Sequence, residues 1–198
     1  MPKTNITFIG DSFVEGYGDP LSLGWVGRVC QYSKKSNPNI NLQITNLGIR
    51  GETSGDILNR YNAVITKEQL NSTNNIIVLS FGTNDCIQYY FNGSVDIQKS
   101  IKNMVLLITK AKEDFDTVLF VLPPCIAETD INKRIKELID VYIPILESLN
   151  VKYINLYETL LDNEIWQYET AKYDGAHPRE NGYEEFAKLI FQDKNWIL

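Results

Sequence analysis

Apolar residues along this 198-residue chain gather into five short runs, Ile6–Ile9, Leu42–Leu47, Ile76–Phe81, Val118–Leu122 and Val151–Leu156. The third and fourth, Ile76-Ile77-Val78-Leu79 and Val118-Leu119-Phe120-Val121-Leu122, are nearly uninterrupted. Such runs predict strands covered on both faces, as in a parallel sheet. Between them the apolar positions recur at helical spacing. Leu23–Tyr32 carries Trp25, Val26, Val29 and Cys30; Ser54–Ile65, opening on a serine cap, carries Ile57, Leu58, Tyr61, Val64 and Ile65; Ile97–Lys112 and Asp130–Leu149 follow the same pattern. Asn181–Phe191 begins with the cap-like pair Asn181 and Glu184. Alternating strands and helices predict a doubly wound α/β domain. No repeat, low-complexity tract or Pro/Gly-rich linker divides the chain, so a single domain over residues 1–198 is expected.

The polar motifs fall at the ends of these runs. Gly10-Asp11-Ser12 follows the first, Gly48 the second, Gly82-Thr83-Asn84-Asp85 the third and Pro123-Pro124-Cys125 the fourth. Ligands of open α/β sheets bind beyond the carboxyl ends of the strands. All four motifs therefore share one rim. His177, in Asp174-Gly175-Ala176-His177-Pro178, precedes the last helix and belongs to the same rim if that helix packs on the sheet.

His177 is the only histidine, so any histidine-dependent chemistry uses it. Serine is a weak nucleophile until a base takes its proton, and histidine suits that task near neutrality. Asp174, three residues away, is within reach to orient the ring, and Pro178 favours an extended His177 that helps to hold the turn; the alternative is a surface or packed histidine near the C-terminus. Ser12, on a strand-to-helix turn, is the candidate nucleophile; the alternative is that it only caps a helix. Asn84 offers an amide donor to an oxyanion, or else forms an Asx-type turn with Asp85. Gly48 allows a backbone N–H to approach a ligand closely, or shapes a loop together with Gly51. The segment Ile87–Gly93, read as a long aromatic loop, and the segment Pro123–Asp130 are candidate pocket walls, or merely cover the rim.

Composition narrows the partners. The chain is 43% apolar and 22% charged with a net charge of −6, which argues against nucleic acid or an anionic membrane as partner. Cys30, Cys86 and Cys125 are widely spaced without a CxxC pair, as expected of free thiols in a reducing compartment. No signal-like segment or membrane span is visible, so a cytoplasmic protein without integral membrane association is expected. No metal or other cofactor is expected: Asp11, Asn84 and Asp85 suit a hard metal, but one histidine is too few for most two-metal sites. The first loop lacks the Lys-Ser/Thr of a phosphate cradle.

Taken in order, Gly10-Asp11-Ser12, Gly48, Gly82-Thr83-Asn84-Asp85 and Asp174-x-x-His177 resemble the four sequence blocks of the SGNH (GDSL-type) hydrolases, a family of esterases, lipases and thioesterases. The resemblance implies a flavodoxin-like three-layer sandwich on a five-stranded, mainly parallel sheet. It implies Ser12 as nucleophile, His177 as base and Asp174 as its orienting carboxylate, with an oxyanion hole from the N–H groups of Ser12 and Gly48 and the side chain of Asn84. Phe13 departs from the leucine of the name-giving motif, at a position expected to pack rather than react. The implied activity is cleavage of small carboxylic esters or thioesters through an acyl-enzyme on Ser12. Acyl transfer on the same scaffold, and non-catalytic binding of a small molecule on a flavodoxin-like fold, are the alternatives.

Overall fold

The structure, a computed structural model, describes residues 3–92 and 96–198, the side chains of 88–92 excepted. In chain order the elements are β1 (Lys3–Gly10), α1 (Ser12–Glu15), α2 (Gly24–Ser36), β2 (Asn41–Gly48), α3 (Ser54–Val64), α4 (Lys67–Leu70), β3 (Asn74–Ser80), α5 (Thr83–Asn92), α6 (Ile97–Asp114), β4 (Thr117–Val121), α7 (Thr129–Ser148), β5 (Lys152–Ile154), α8 (Tyr157–Leu161), α9 (Glu164–Tyr173) and α10 (Glu180–Gln192). All five expected strands are present. They form one sheet in the order β2-β1-β3-β4-β5, and every neighbouring pair is parallel, so the sheet is wholly rather than mainly parallel.

Two helical layers cover it. On one face α2 packs with α10, which also holds α9; on the other, α3, α6, α7 and α5 pack in sequence. β1 and β3, in the middle, are buried almost throughout, which is why β3 reads as an unbroken apolar run. β2 lies at the edge and is half exposed.

Three expectations are corrected locally. Residues 87–92 of the stretch read as an aromatic loop are helical in their backbone as part of α5, and the service of residues 88–93 as a pocket wall lies outside the described residues. The cap of α3 is Thr53 rather than Ser54: Thr53 and Asp56 bond each other's backbone N–H in a reciprocal box. At α10 the Asn181–Glu184 cap is replaced by a carboxylate from a neighbouring helix. Glu169 of α9 accepts from the N–H groups of Arg179 and Gly182, at 2.8 and 2.7 Å, where a helix start leaves donors unmatched.

A buried ion pair fastens the loop after α1. Asp19 accepts from the backbone N–H groups of Leu21, Leu23 and Gly24 and from the Arg28 guanidinium of α2. Arg28 reaches on to Glu184 of α10, 3.2 Å away. Burial raises the Asp19 pKa, but these bonds outweigh it and hold the carboxyl below its ordinary value. Removing one partner strands the other charge in the interior. Asp19→Ala is therefore expected to lower stability by about 3–5 kcal/mol. A denaturant midpoint equal to that of the parent protein would show that this pair carries no such weight.

Candidate active site

The register of the sheet sets the rim. Gly10 at the end of β1 lies level with Gly48 on one side and Ser80 on the other. A Cβ on Gly10 would lie 1.9 Å from the Ser80 carbonyl oxygen, so only glycine lets the chain turn out of the sheet here. The next residue, Asp11, caps α1 by accepting from the Phe13 N–H at 3.0 Å. Ser12 is thereby the first residue of a helix, and among the described residues its N–H has no intramolecular partner.

The structure brings Ser12, His177 and Asp174 together across 165 residues of sequence. Ser12 Oγ is 2.6 Å from His177 Nε2, and His177 Nδ1 is 2.8 Å from Asp174 Oδ2. The other Asp174 oxygen accepts from the backbone N–H groups of His177 and Ala176, at 2.8 and 3.0 Å. Burial raises the Asp174 pKa, but these hydrogen bonds outweigh it and hold the carboxyl below its ordinary value. An ionised Asp174 only accepts, so Nδ1 carries the proton and Nε2 is left to accept from the serine hydroxyl. Gly175, at φ 84°, closes the turn, and its carbonyl accepts from the Ala127 N–H in the Pro123–Asp130 segment. Phe13 and Tyr17 flank the imidazole with ring centroids 4.9 and 5.0 Å away. Phe13, the departure from the leucine motif, is buried and stacks on Trp166, which gives it a packing role.

The candidate oxyanion donors divide. Asn84 stands at the start of α5, and its Nδ2 donates to the Glu52 carbonyl at 2.9 Å. One amide hydrogen is thus anchored and a second remains. The local Asx turn is not formed. Asp85 instead accepts from the Ser54 N–H at 2.8 Å and from the Ser100 hydroxyl, and so joins α5 to α3 and α6. Gly48 is not placed as expected. Its N–H is taken by Asn46 Oδ1 at 2.9 Å, and a Cβ there would lie 2.0 Å from the Glu15 backbone nitrogen. The need for glycine at 48 is the close crossing of α1 over β2. Gly51, three residues on, has φ 80° and open space where a Cβ would stand; among the described residues its N–H has no partner.

Arg60 of α3, absent from the sequence reading, braces this rim. It binds both carboxylate oxygens of Glu52 and donates to the Leu47 carbonyl at 2.6 Å and the Gly10 carbonyl at 3.4 Å. The Gly10 carbonyl also accepts from the Ile49 N–H. One half-buried guanidinium therefore ties together the turn before Ser12, the end of β2 and the loop that anchors Asn84. Among the described residues no group of three or more His, Cys, Asp or Glu side chains is arranged to hold a metal ion. Among them, too, no helix is long and apolar enough to cross a membrane.

Comparison with known proteins bears on this site. Residues 8–185 match the model of the GDSL-like lipase/acylhydrolase family. Among solved structures, an acetylxylan esterase from Geobacillus stearothermophilus superposes with a TM-score of 0.78 at 18% identity, covering 98% of this chain and 96% of that one. A member of the lipolytic protein G-D-S-L family from Veillonella parvula superposes at 0.73 with 22% identity, covering 98% and 100%. At these identities the likeness is one of fold. No curated protein sequence matches.

Beside the nucleophile lies a carboxyl that resists ionisation. Burial pushes Asp11 up to about 7, against the lowering effect of the Phe13 N–H, and the Asp85 and Glu52 carboxylates add to the rise. Below about pH 4 folded and unfolded chains both hold this proton, so it costs nothing. Between about pH 4 and 7 the unfolded chain gives it up first, and the fold loses stability as pH rises. Asn at position 11 would keep the capping oxygen without the charge. The stability of Asp11→Asn relative to the parent protein should therefore climb across that interval and level off above it. Denaturation curves that shift in parallel at every pH would contradict this.

Proposed function

The chain belongs to the GDSL-like lipase/acylhydrolase family and is a carboxylic ester hydrolase; on that premise we propose that it works through an acyl-enzyme on Ser12, with His177 as base and Asp174 as its orienting carboxylate. The observation that carries this reading is the 2.6 Å contact between Ser12 Oγ and His177 Nε2, backed by the 2.8 Å contact from Nδ1 to Asp174.

The steps follow from the geometry. Nε2 takes the Ser12 proton as Oγ bonds to the ester carbonyl carbon, and the carbonyl oxygen becomes an oxyanion. Its negative charge is met by the Ser12 N–H, the Gly51 N–H and the second amide hydrogen of Asn84, with Gly51 in the place first given to Gly48. The imidazolium, steadied by Asp174, then passes its proton to the leaving alkoxide, which departs as an alcohol. Water, deprotonated by His177, repeats the sequence to release the acid and restore Ser12. A thioester would follow the same path with a thiol leaving. The substrates in this reading are small-molecule esters; acetylated xylan, the substrate named for the Geobacillus enzyme, is one of them to be tried.

Turnover of acyl esters of graded chain length is the direct test. Ser12→Ala and His177→Ala should each lower kcat by at least ~10⁴-fold, and Asp174→Asn by less. Undiminished turnover by Ser12→Ala would end the acyl-enzyme reading.

The oxyanion donors are tested separately. Asn84→Ala should lower kcat by about 10²–10³-fold with little change in KM, because its bond strengthens only as charge develops. Arg60 acts at one remove, as a positioning residue. Arg60→Ala should lower kcat by roughly 10–100-fold, Arg60→Lys should recover part of it, and the loss should be smaller when Asn84 is already alanine. Equal Arg60→Ala losses in the presence and absence of the Asn84 amide would show that the brace does not act through that donor.

A further inference from the structure

Two neighbouring aromatic rings with a cation at each end border the imidazole, and the acyl-enzyme steps make no use of them. The Arg50 guanidinium lies 3.8 Å from the centroid of Tyr17. Tyr17 meets His177 edge-on at 5.0 Å and lies 6.2 Å from Tyr173, and Arg179 stands 4.8 Å from the Tyr173 ring. The row is held by backbone on several sides. The Tyr183 hydroxyl donates to the Tyr17 carbonyl at 2.7 Å. Gly18, at φ 89°, passes so close to Tyr173 and Pro178 that a Cβ would lie 2.8 and 2.9 Å from them. On the chain just before Arg50, the Ile49 N–H is bonded to the Gly10 carbonyl, ahead of the nucleophile turn.

The charges around this row are unequal in their obligations. Asp174 is engaged by His177 and two backbone N–H groups, Glu52 by Arg60, and Glu169 by the start of α10. Each carboxylate has its counterpart. Arg50 is exposed, and among the described residues neither it nor Arg179 is paired with a carboxylate. A guanidinium seated over a ring face spends its charge on the ring quadrupole and leaves N–H donors for a planar or tetrahedral oxyanion. With the chain at −6 overall, the general field does not favour anions, so a local cation is what would admit one.

We propose that the ester processed at Ser12 carries a second, anionic oxyacid group, a carboxylate or phosphate, which Arg50 captures from its seat on Tyr17, one ring away from His177. The proposal rests on the Ser12 reading. Arg50 donates two hydrogen bonds to the anion, Arg179 adds field from the far end of the row, and the ester carbonyl is thereby drawn towards Ser12.

The test uses matched esters that differ in this one charge: 4-nitrophenyl acetate against mono-4-nitrophenyl succinate for an anion on the acyl side, and methyl 4-acetoxybenzoate against 4-acetoxybenzoate for one on the alcohol side. A phosphorylated pair, phenyl acetate against 4-acetoxyphenyl phosphate, extends the series. At low salt at least one anionic ester should show a lower KM than its neutral partner, and the advantage should shrink as salt is added. Arg50→Ala should cut the anionic-to-neutral ratio of kcat/KM about tenfold or more, Arg50→Lys should restore part of it, and Arg50→Glu should invert it. Arg50 is exposed, so these variants are expected to fold, and a melting curve verifies it. A ratio that ignores Arg50, or a parent protein indifferent to the charge in every pair, overturns the proposal. If no pair is cleaved in a Ser12-dependent manner, the Ser12 reading fails and the proposal falls with it; Ser12-dependent cleavage without a charge preference overturns the proposal alone.

Discussion

Everything at the rim depends on how closely backbones approach at the ends of β1, β2 and β3. Gly10, Gly48 and Ser80 share one level of the parallel sheet. There α1 leaves β1 and crosses β2 with its backbone almost touching the Gly48 Cα. A side chain at either glycine would need the space of a neighbouring backbone atom, which cannot yield as a flexible side chain can. The turn at Gly10 and the Asp11 cap make Ser12 the first residue of the helix that crosses there. Its hydroxyl then reaches His177 while its N–H stays free of the helix ladder.

The polar groups brought to this crowded rim are mostly satisfied in chains rather than singly. Arg60 gathers two carbonyls and the Glu52 carboxylate; the Glu52 carbonyl holds Asn84; Asp85, one residue later, holds the start of α3. Since α3 is the helix that carries Arg60, the chain closes on itself. A closed set of hydrogen bonds keeps each donor within a narrow range of positions, and that is the requirement for stabilising a charge that exists only in the transition state. Asp11 stands apart. It accepts from the Phe13 N–H, two carboxylates stand in its field, and among the described residues no salt bridge pairs it, so burial suppresses its charge.

Much of this was legible in sequence, and the gaps have definite causes. The strands were readable because two-sided burial leaves a dense apolar run, as in Ile76–Leu79. The rim positions of Ser12, Asp174, His177 and Asn84 were readable because each follows a strand end or precedes a helix in a short motif. The helix α9 was not, since it buries only Trp166 and Thr170 and so lacks an apolar stripe. The start of α5 was hidden because Thr83-Asn84-Asp85 has the composition of a turn. Between Gly48 and Gly51 the sequence offered no choice: one glycine answers a close crossing and the other a left-handed backbone, and both are written with the same letter. Arg60 and Glu52 were invisible for a different reason. Their pairing joins a loop to a helix across eight residues, and only the fold makes them neighbours.

The separation of Ser12 from His177 has a consequence for when the site exists. Asp174 and His177 are joined by a local turn, three residues apart, which can form with little loss of loop entropy. The contact to Ser12 spans 165 residues and requires α10 to be docked on α2, the pairing that brings the last helix to the first face of the sheet. Asp19 and Arg28 lie along that seam, and Arg28 reaches Glu184 on α10 directly. The nucleophile end and the base end of the chain are thus held by the same contacts that dock the last helix on the sheet. A loosened seam would separate Ser12 from His177 while leaving the His177–Asp174 turn intact, so the serine–histidine contact reports on the closure of the fold and the histidine–aspartate contact does not.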